Sequence, residues 1–96
     1  MDLTTLSSDD TPKRVQRLCA KARQPIRPEL MKSLGIESIN LQVGAVCVYH
    51  AFVNTAVNAL KKTNIPVAAV AAGFPHGLSP ISAKLKEIRV SVEEGA

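Results

Sequence analysis

The chain has 96 residues, 46% of them hydrophobic, which is ample for one globular domain and too short for two. Its formal charge of +4 comes from cations spaced singly or in pairs, and with one Tyr, two Phe and no Trp it lacks a surface for stacking bases. Solvated helix faces therefore account for the basicity better than a nucleic-acid partner does, while an anionic small molecule remains compatible as substrate. The longest apolar run, Ile65 to Phe74, is too short to span a bilayer, and Met1-Asp2-Leu3-Thr4-Thr5 does not read as a signal peptide. Cys19 and Cys47 sit in apolar contexts without metal-ligand spacing, which points to a reducing compartment and a cytoplasmic location.

Asp2 to Leu6 reads as the end of a strand whose hydrophobic approach is missing, so the start looks cut. Ser7 to Thr11 offers several helix caps, and Pro12 suits a first helical position. Val15, Leu18, Cys19 and Ala22 then recur at helical spacing up to Arg23, with Lys13, Arg14, Arg17 and Lys21 opposite. Pro25 stops that helix. Pro28 starts a short one whose Leu30, Met31 and Leu34 share a face before Gly35 ends it; Ile36 to Leu41 is a connection of undefined shape.

Val43 to Tyr49 is apolar throughout and reads as a buried parallel strand, covered on both faces. From His50 to Lys62 a helix is predicted, with Val53, Ala56, Val57 and Leu60 inward and Lys61-Lys62 at the negative end of its dipole. The run from Ile65 to Ala72, centred on 66–72, is a second covered strand and the organising element of the chain. It delivers Gly73-Phe74-Pro75-His76-Gly77 from its carboxyl end, where parallel α/β proteins place their sites. Ser79 as cap and Pro80 in the first turn open a last helix with Ile81, Leu85, Ile88 and Val92 predicted as its buried face, and Gly95 as its C-cap. The order of elements predicts a parallel α/β fold with right-handed crossovers and helices on the outside.

Few residues carry chemistry by spacing alone. Asp2 and Thr4 at a strand end can orient an amine or a substrate hydroxyl, although satisfying turn backbone is the commoner use of such residues. Cys47, near a strand end, reads first as a small core thiol. His50 opens a helix and His76 lies in the loop after the central strand; each is more often structural than catalytic. No set of residues has the spacing of a metal site, a triad or a phosphate loop. An anion held at the helix start near Gly77-Leu78-Ser79, in a small open-sheet module, is one reading left open.

Asp2-Leu3-Thr4-Thr5-Leu6, Ala45-Val46-Cys47-Val48-Tyr49, Pro66 to Pro75 with Gly77, and Glu87-Ile88-Arg89 through Glu93-Glu94-Gly95-Ala96 together resemble deoxyribose-phosphate aldolase of the animal type. They occur in the right order across essentially the whole chain. The resemblance implies a (β/α)8 TIM barrel, of which 1–96 would be a single incomplete fragment holding roughly the first three βα units, since a complete barrel takes about 250 residues. It implies reversible cleavage of 2-deoxyribose 5-phosphate to glyceraldehyde 3-phosphate and acetaldehyde through a lysine Schiff base. No metal or other cofactor is implied. A second lysine would lower the pKa of the first, and an aspartate would assist proton transfer.

By the same resemblance Asp2 is the first-strand aspartate near the second lysine, Thr4 shares its pocket, and Cys47 is the second-strand cysteine lining it. The Schiff-base lysine, its partner and the proton-relay aspartate have no counterpart here, so no catalytic residue is assigned and the chain is expected to be inactive alone. His50 stands where the family usually has Pro, and Gln42-Val43-Gly44 replaces a Thr/Ala-rich entry. A phosphorylated sugar is the expected partner, with a homo-oligomer as a further expectation. Open strand edges and a missing interior predict self-association or aggregation of the isolated chain.

Overall fold

Three short strands lie side by side in the order β1 (Asp2–Thr4), β2 (Ala45–Tyr49) and β3 (Val67–Val70). Both pairings are parallel, with Leu3 opposite Val46 and Val46 opposite Val67. Between them run helices α1 (Pro12–Arg23), α2 (Pro28–Ser33), a 3₁₀ turn (His50–Phe52) leading into α3 (Val53–Ala59), and finally α4 (Ile81–Glu93). This computed structural model describes residues 1–35 and 41–96, so most of the predicted connection from Ile36 to Leu41 lies outside the described residues. The expected adjacency and parallel sense of the runs 43–49 and 66–72 are observed.

Thr11 caps α1, its hydroxyl accepting from the Arg14 N–H at 3.2 Å, and Pro12 occupies the first turn. The helical spacing of Val15, Cys19 and Ala22 puts all three on the sheet, each with no exposed surface. Val53, Ala56 and Leu60 of the α3 region meet them, and the strands contribute Val46, Val48 and Val67, so the core is one layer between the sheet and two helices. Successive strand residues point to opposite faces. Leu3, Val46, Val48, Val67 and Ala69 therefore face the helices, and Asp2, Thr4, Ala45, Cys47, Tyr49, Ala68 and Val70 face the other way.

That second face is open. The expectation that both strands are covered on both faces fails: Thr4 and Ala68 are exposed and Cys47 is half-buried, because among the described residues no element lies over them. The apolar sides of two helices are left uncovered for the same reason, and for α4 this overturns the expected burial. Leu30 and Leu34 of the α2 region are 44% and 66% exposed, and α2 buries nothing. Ile81, Leu85, Ile88 and Val92, predicted as the inward stripe of α4, all point outward. The inward stripe is instead Lys84, Glu87, Ser91 and Glu94. Ser79 is not the cap either: Pro80 holds the N-cap position without a side-chain bond. Gly95 follows the helix at φ 112° against Val57, as its expected role requires.

The radius of gyration is 15.3 Å, against about 12.5 Å for a compact domain of this length. The molecule is drawn out along one axis, 52 Å by 23 Å by 21 Å.

Candidate functional site

Asp2, Thr4 and Cys47 come together on the open face. Register pairs Thr4 with Cys47 and Asp2 with Ala45, and adjacent strands are about 4.8 Å apart, so hydroxyl and thiol are next neighbours across the sheet. Asp2 lies one pleat away on the same strand, beside Gly44, where a Cβ would stand 3.0 Å from its Oδ1. The backbone holds this corner: Gly44 N–H donates to Met1 O at 2.7 Å and Thr5 N–H to Cys47 O at 3.1 Å. Turn satisfaction falls to other side chains. Thr5 Oγ1 donates to Asp10 Oδ1 at 2.8 Å, and Asp10 Oδ2 accepts from the Ser7 N–H at 3.2 Å. Asp2 and Thr4 are left exposed on the sheet face.

The two thiols differ. Cys19 is fully enclosed by apolar neighbours, and burial pushes its pKa above the ordinary 9.0 because the thiolate cannot be solvated there. Cys47 is a free thiol of intermediate exposure. Iodoacetamide is expected to modify Cys47 in the native chain and Cys19 only on unfolding, which peptide mass mapping checks. The linkage has a definite sign. The unfolded thiol ionises first, so the Cys19 contribution to stability is intact below about pH 9 and declines above it, by at most about 1.4 kcal/mol per pH unit. Urea titrations of wild type and Cys19→Ala at pH 8 and pH 10 are expected to differ in that slope.

The loop after β3 forms the other part of the rim. Gly73 and Gly77 both have positive φ, and Gly77 N–H donates to Gly73 O at 2.8 Å. Phe74 packs a tilted ring on Tyr49 with centroids 6.4 Å apart, which ties the loop to the end of β2. His76 is exposed in this loop, away from Asp2 and Cys47 in the sheet register. His50 has a partner that local spacing could not reveal: its Nδ1 lies 3.2 Å from Glu87 Oε1, joining the 3₁₀ turn to α4. Asn54 Nδ2 donates to Glu94 Oε2 one turn further on.

Other grooves lie elsewhere. One of about 520 Å³ opens between Met1, Leu3 and the α1 end at Lys21 and Gln24, at the amino ends of the strands. Among the described residues no three His, Cys, Asp or Glu side chains are grouped as a metal site, and no helix is long and apolar enough to cross a membrane.

Parallel strands joined through outer helices, with one face of the sheet uncovered among the described residues, make up part of a (β/α) barrel. The particular likeness is to deoxyribose-phosphate aldolase. The proteins of that name from Homo sapiens, Mus musculus and Bos taurus are 54%, 53% and 51% identical to this chain over 98 aligned positions, covering 100% of it. The chain spans 31% of the length of each. Among solved structures, a deoxyribose-phosphate aldolase from Coccidioides immitis superposes on 99% of the chain with a TM-score of 0.74 at 28% identity, using 31% of its own length. The tetrameric deoxyribose phosphate aldolase of Aeropyrum pernix gives 0.70 at 22% identity, a likeness of fold. No protein-family model matches. The resemblance carried by the sequence motifs is thereby borne out, and the alternative of an unrelated open-sheet module is not favoured.

Proposed function

We propose that this chain supplies the first wall of a 2-deoxyribose 5-phosphate aldolase, with Asp2, Thr4 and Cys47 lining the sugar-phosphate pocket. The supporting observation is that Cys47, more than forty residues along the chain, joins Asp2 and Thr4 on the uncovered face of a sheet that matches the aldolases over its full extent. The reaction is reversible carbon–carbon cleavage to glyceraldehyde 3-phosphate and acetaldehyde through a lysine imine, carried out in the cytoplasm without a metal. Thr4 offers a hydroxyl to the substrate, and Asp2 offers a carboxylate to a neighbouring ammonium.

The amine must come from outside these residues. Lys13 and Lys21 lie on α1, Lys32 on α2, Lys61 and Lys62 in the turn after α3, and Lys84 and Lys86 on α4, none on a strand. An imine-forming lysine needs its amine unprotonated, which burial or a neighbouring cation brings about. Six of the seven are exposed, and the half-buried Lys84 reaches toward the Gly77 loop on the helix side. Incubation with 2-deoxyribose 5-phosphate and borohydride is therefore expected to leave the intact mass of the chain unchanged. A stoichiometric adduct on any of the seven lysines would refute this reading.

A further inference from the structure

Helix α4 meets the rest of the chain with its polar side. Its one buried residue is Ser91, whose hydroxyl donates to Glu87 O within the helix at 2.9 Å, and no apolar side chain of the helix is buried. What crosses to the neighbouring elements is polar. Glu87 Oε1 meets His50 Nδ1 at 3.2 Å. Two turns on, Glu94 Oε2 accepts from Asn54 Nδ2, and Asn54 Oδ1 in turn accepts from Asn58 Nδ2 at 2.6 Å. Past the last turn Gly95 lies against Val57.

The approach to the helix is fixed in another way. The Gly77 N–H closes the preceding loop on Gly73 O, and Phe74 packs on Tyr49. Between that closed loop and α4 runs only the link 78–80, with Leu78 89% exposed. The consecutive residues Tyr49 and His50 thus hold two things at the end of β2: Tyr49 pins the loop, and His50 holds the helix.

We propose that α4 is a strap, which undocks and unravels as one unit about the link 78–80, and that the His50 to Glu87 contact is the latch that sets how often it does so. Apolar burial is what ordinarily keeps a short helix in place, and a helix without it belongs to the low end of local stability. Detached, α4 would not persist: its 13 residues are close to the limit of about 12–15 below which an isolated helix is marginal in water. Undocking therefore means loss of the helix. Within the latch the carboxylate is the enclosed member, 15% exposed against 44% for the imidazole, so docking strips water from Glu87 and makes it depend on a donor. Lys84, on the same stripe, reaches toward Gly77 instead, which leaves His50 as the partner. Proline, the residue that the aldolase pattern usually has at this position, offers no such donor. The latch is thus a property of this chain, and it is independent of the reaction proposed above.

Hydrogen exchange of the intact 96-residue chain, read by mass spectrometry at one pH and temperature, tests the device. In the wild type the amides of α4 are expected to exchange at least about tenfold faster than those of α1, whose Val15, Cys19 and Ala22 are buried. His50→Ala is expected to speed α4 by a further two- to fivefold, about the worth of one partly exposed pair, and to leave α1 unchanged. Glu87→Ala removes the same contact from the helix side and is expected to act alike, so the outcome does not hang on one variant. His50→Asn, which sets an amide nitrogen near the place of Nδ1, is expected to restore the wild-type rate, and Lys86→Ala, outside the inward stripe, to change nothing. Equal exchange of α4 and α1 in the wild type would mean that the helix opens only with the whole fold, and overturns the strap. Faster exchange of α1 in both latch variants, equal rates in His50→Ala and Lys86→Ala, or no recovery in His50→Asn overturns the latch.

Discussion

Val46→Asp is expected to abolish the folded state. Val46 is the middle of the middle strand, with no exposed surface, flanked across the sheet by Leu3 and Val67. Its N–H donates to Pro66 O at 3.0 Å, so the site is fixed by the ladder and cannot turn the side chain out. The change removes a buried apolar side chain worth about 1.5–3 kcal/mol. It also places a carboxyl in the apolar core cluster that includes Val15, Cys19 and Ala56. An uncompensated buried charge is costlier still, and the group would take up a proton rather than ionise there. The combined loss, above about 4 kcal/mol, is exceptional for one substitution and exceeds what a one-layer core can absorb. Far-ultraviolet circular dichroism is expected to show an unfolded chain at pH 7, with partial recovery near pH 4, where the carboxyl is neutral. Ala68→Asp, one position along the neighbouring strand but on the open face, is expected to shift stability by no more than about 0.5 kcal/mol. Equal effects at the two positions would mean that the sheet has no covered and uncovered sides.

That contrast also marks what the sequence could disclose. The runs Val43 to Tyr49 and Ile65 to Ala72 are apolar at every position, and this was enough to read two parallel strands and their adjacency. The same signal misled on cover. A residue such as Ala68 is apolar because something is meant to lie over it, and sequence pattern cannot say whether the covering element belongs to these 96 residues. The α4 stripe repeats the lesson: periodicity showed that Ile81, Leu85, Ile88 and Val92 share a face, and nothing in it said that the face would have no neighbour. In α1, where the partner sheet is present, the same kind of reading of Val15, Cys19 and Ala22 held.

The candidate site was legible only through resemblance. Thr4 and Cys47 become neighbours through register, which depends on how β1 and β2 slide past each other, and no local feature of either segment encodes it. The His50 to Glu87 contact was invisible for a similar reason. Both residues look like ordinary surface side chains until α4 folds back across the 3₁₀ turn. The cap of α1 falls at Thr11, one of several that Ser7 to Thr11 offered, whereas Ser79 was read wrongly as a cap and its hydroxyl sits instead against Gly73.

That last contact makes Gly73→Ala the second substitution with a large expected effect. Gly73 has φ 72°, a left-handed backbone that costs a residue with a Cβ about 1–2 kcal/mol. A Cβ built there would lie 2.7 Å from Ser79 Oγ and 3.4 Å from the Gly77 Cα, so a steric cost of similar size adds to the conformational one. The loop cannot relax freely, since the Gly77 N–H bond to Gly73 O closes it and Phe74 is packed on Tyr49. The expected loss is about 2–4 kcal/mol, a large share of what a domain of this length can hold. Ser79→Ala removes the hydroxyl and leaves the Gly77 Cα at 3.4 Å and Ser79 Cβ at 3.6 Å from the built Cβ, both ordinary contacts. In the double variant the steric part should therefore vanish and the backbone part remain. A double-mutant cycle by urea denaturation is expected to give a favourable coupling of about 1–2 kcal/mol between the two positions. Coupling near zero would mean that the loop opens to admit the methyl group, and that its geometry is set by the left-handed turn alone.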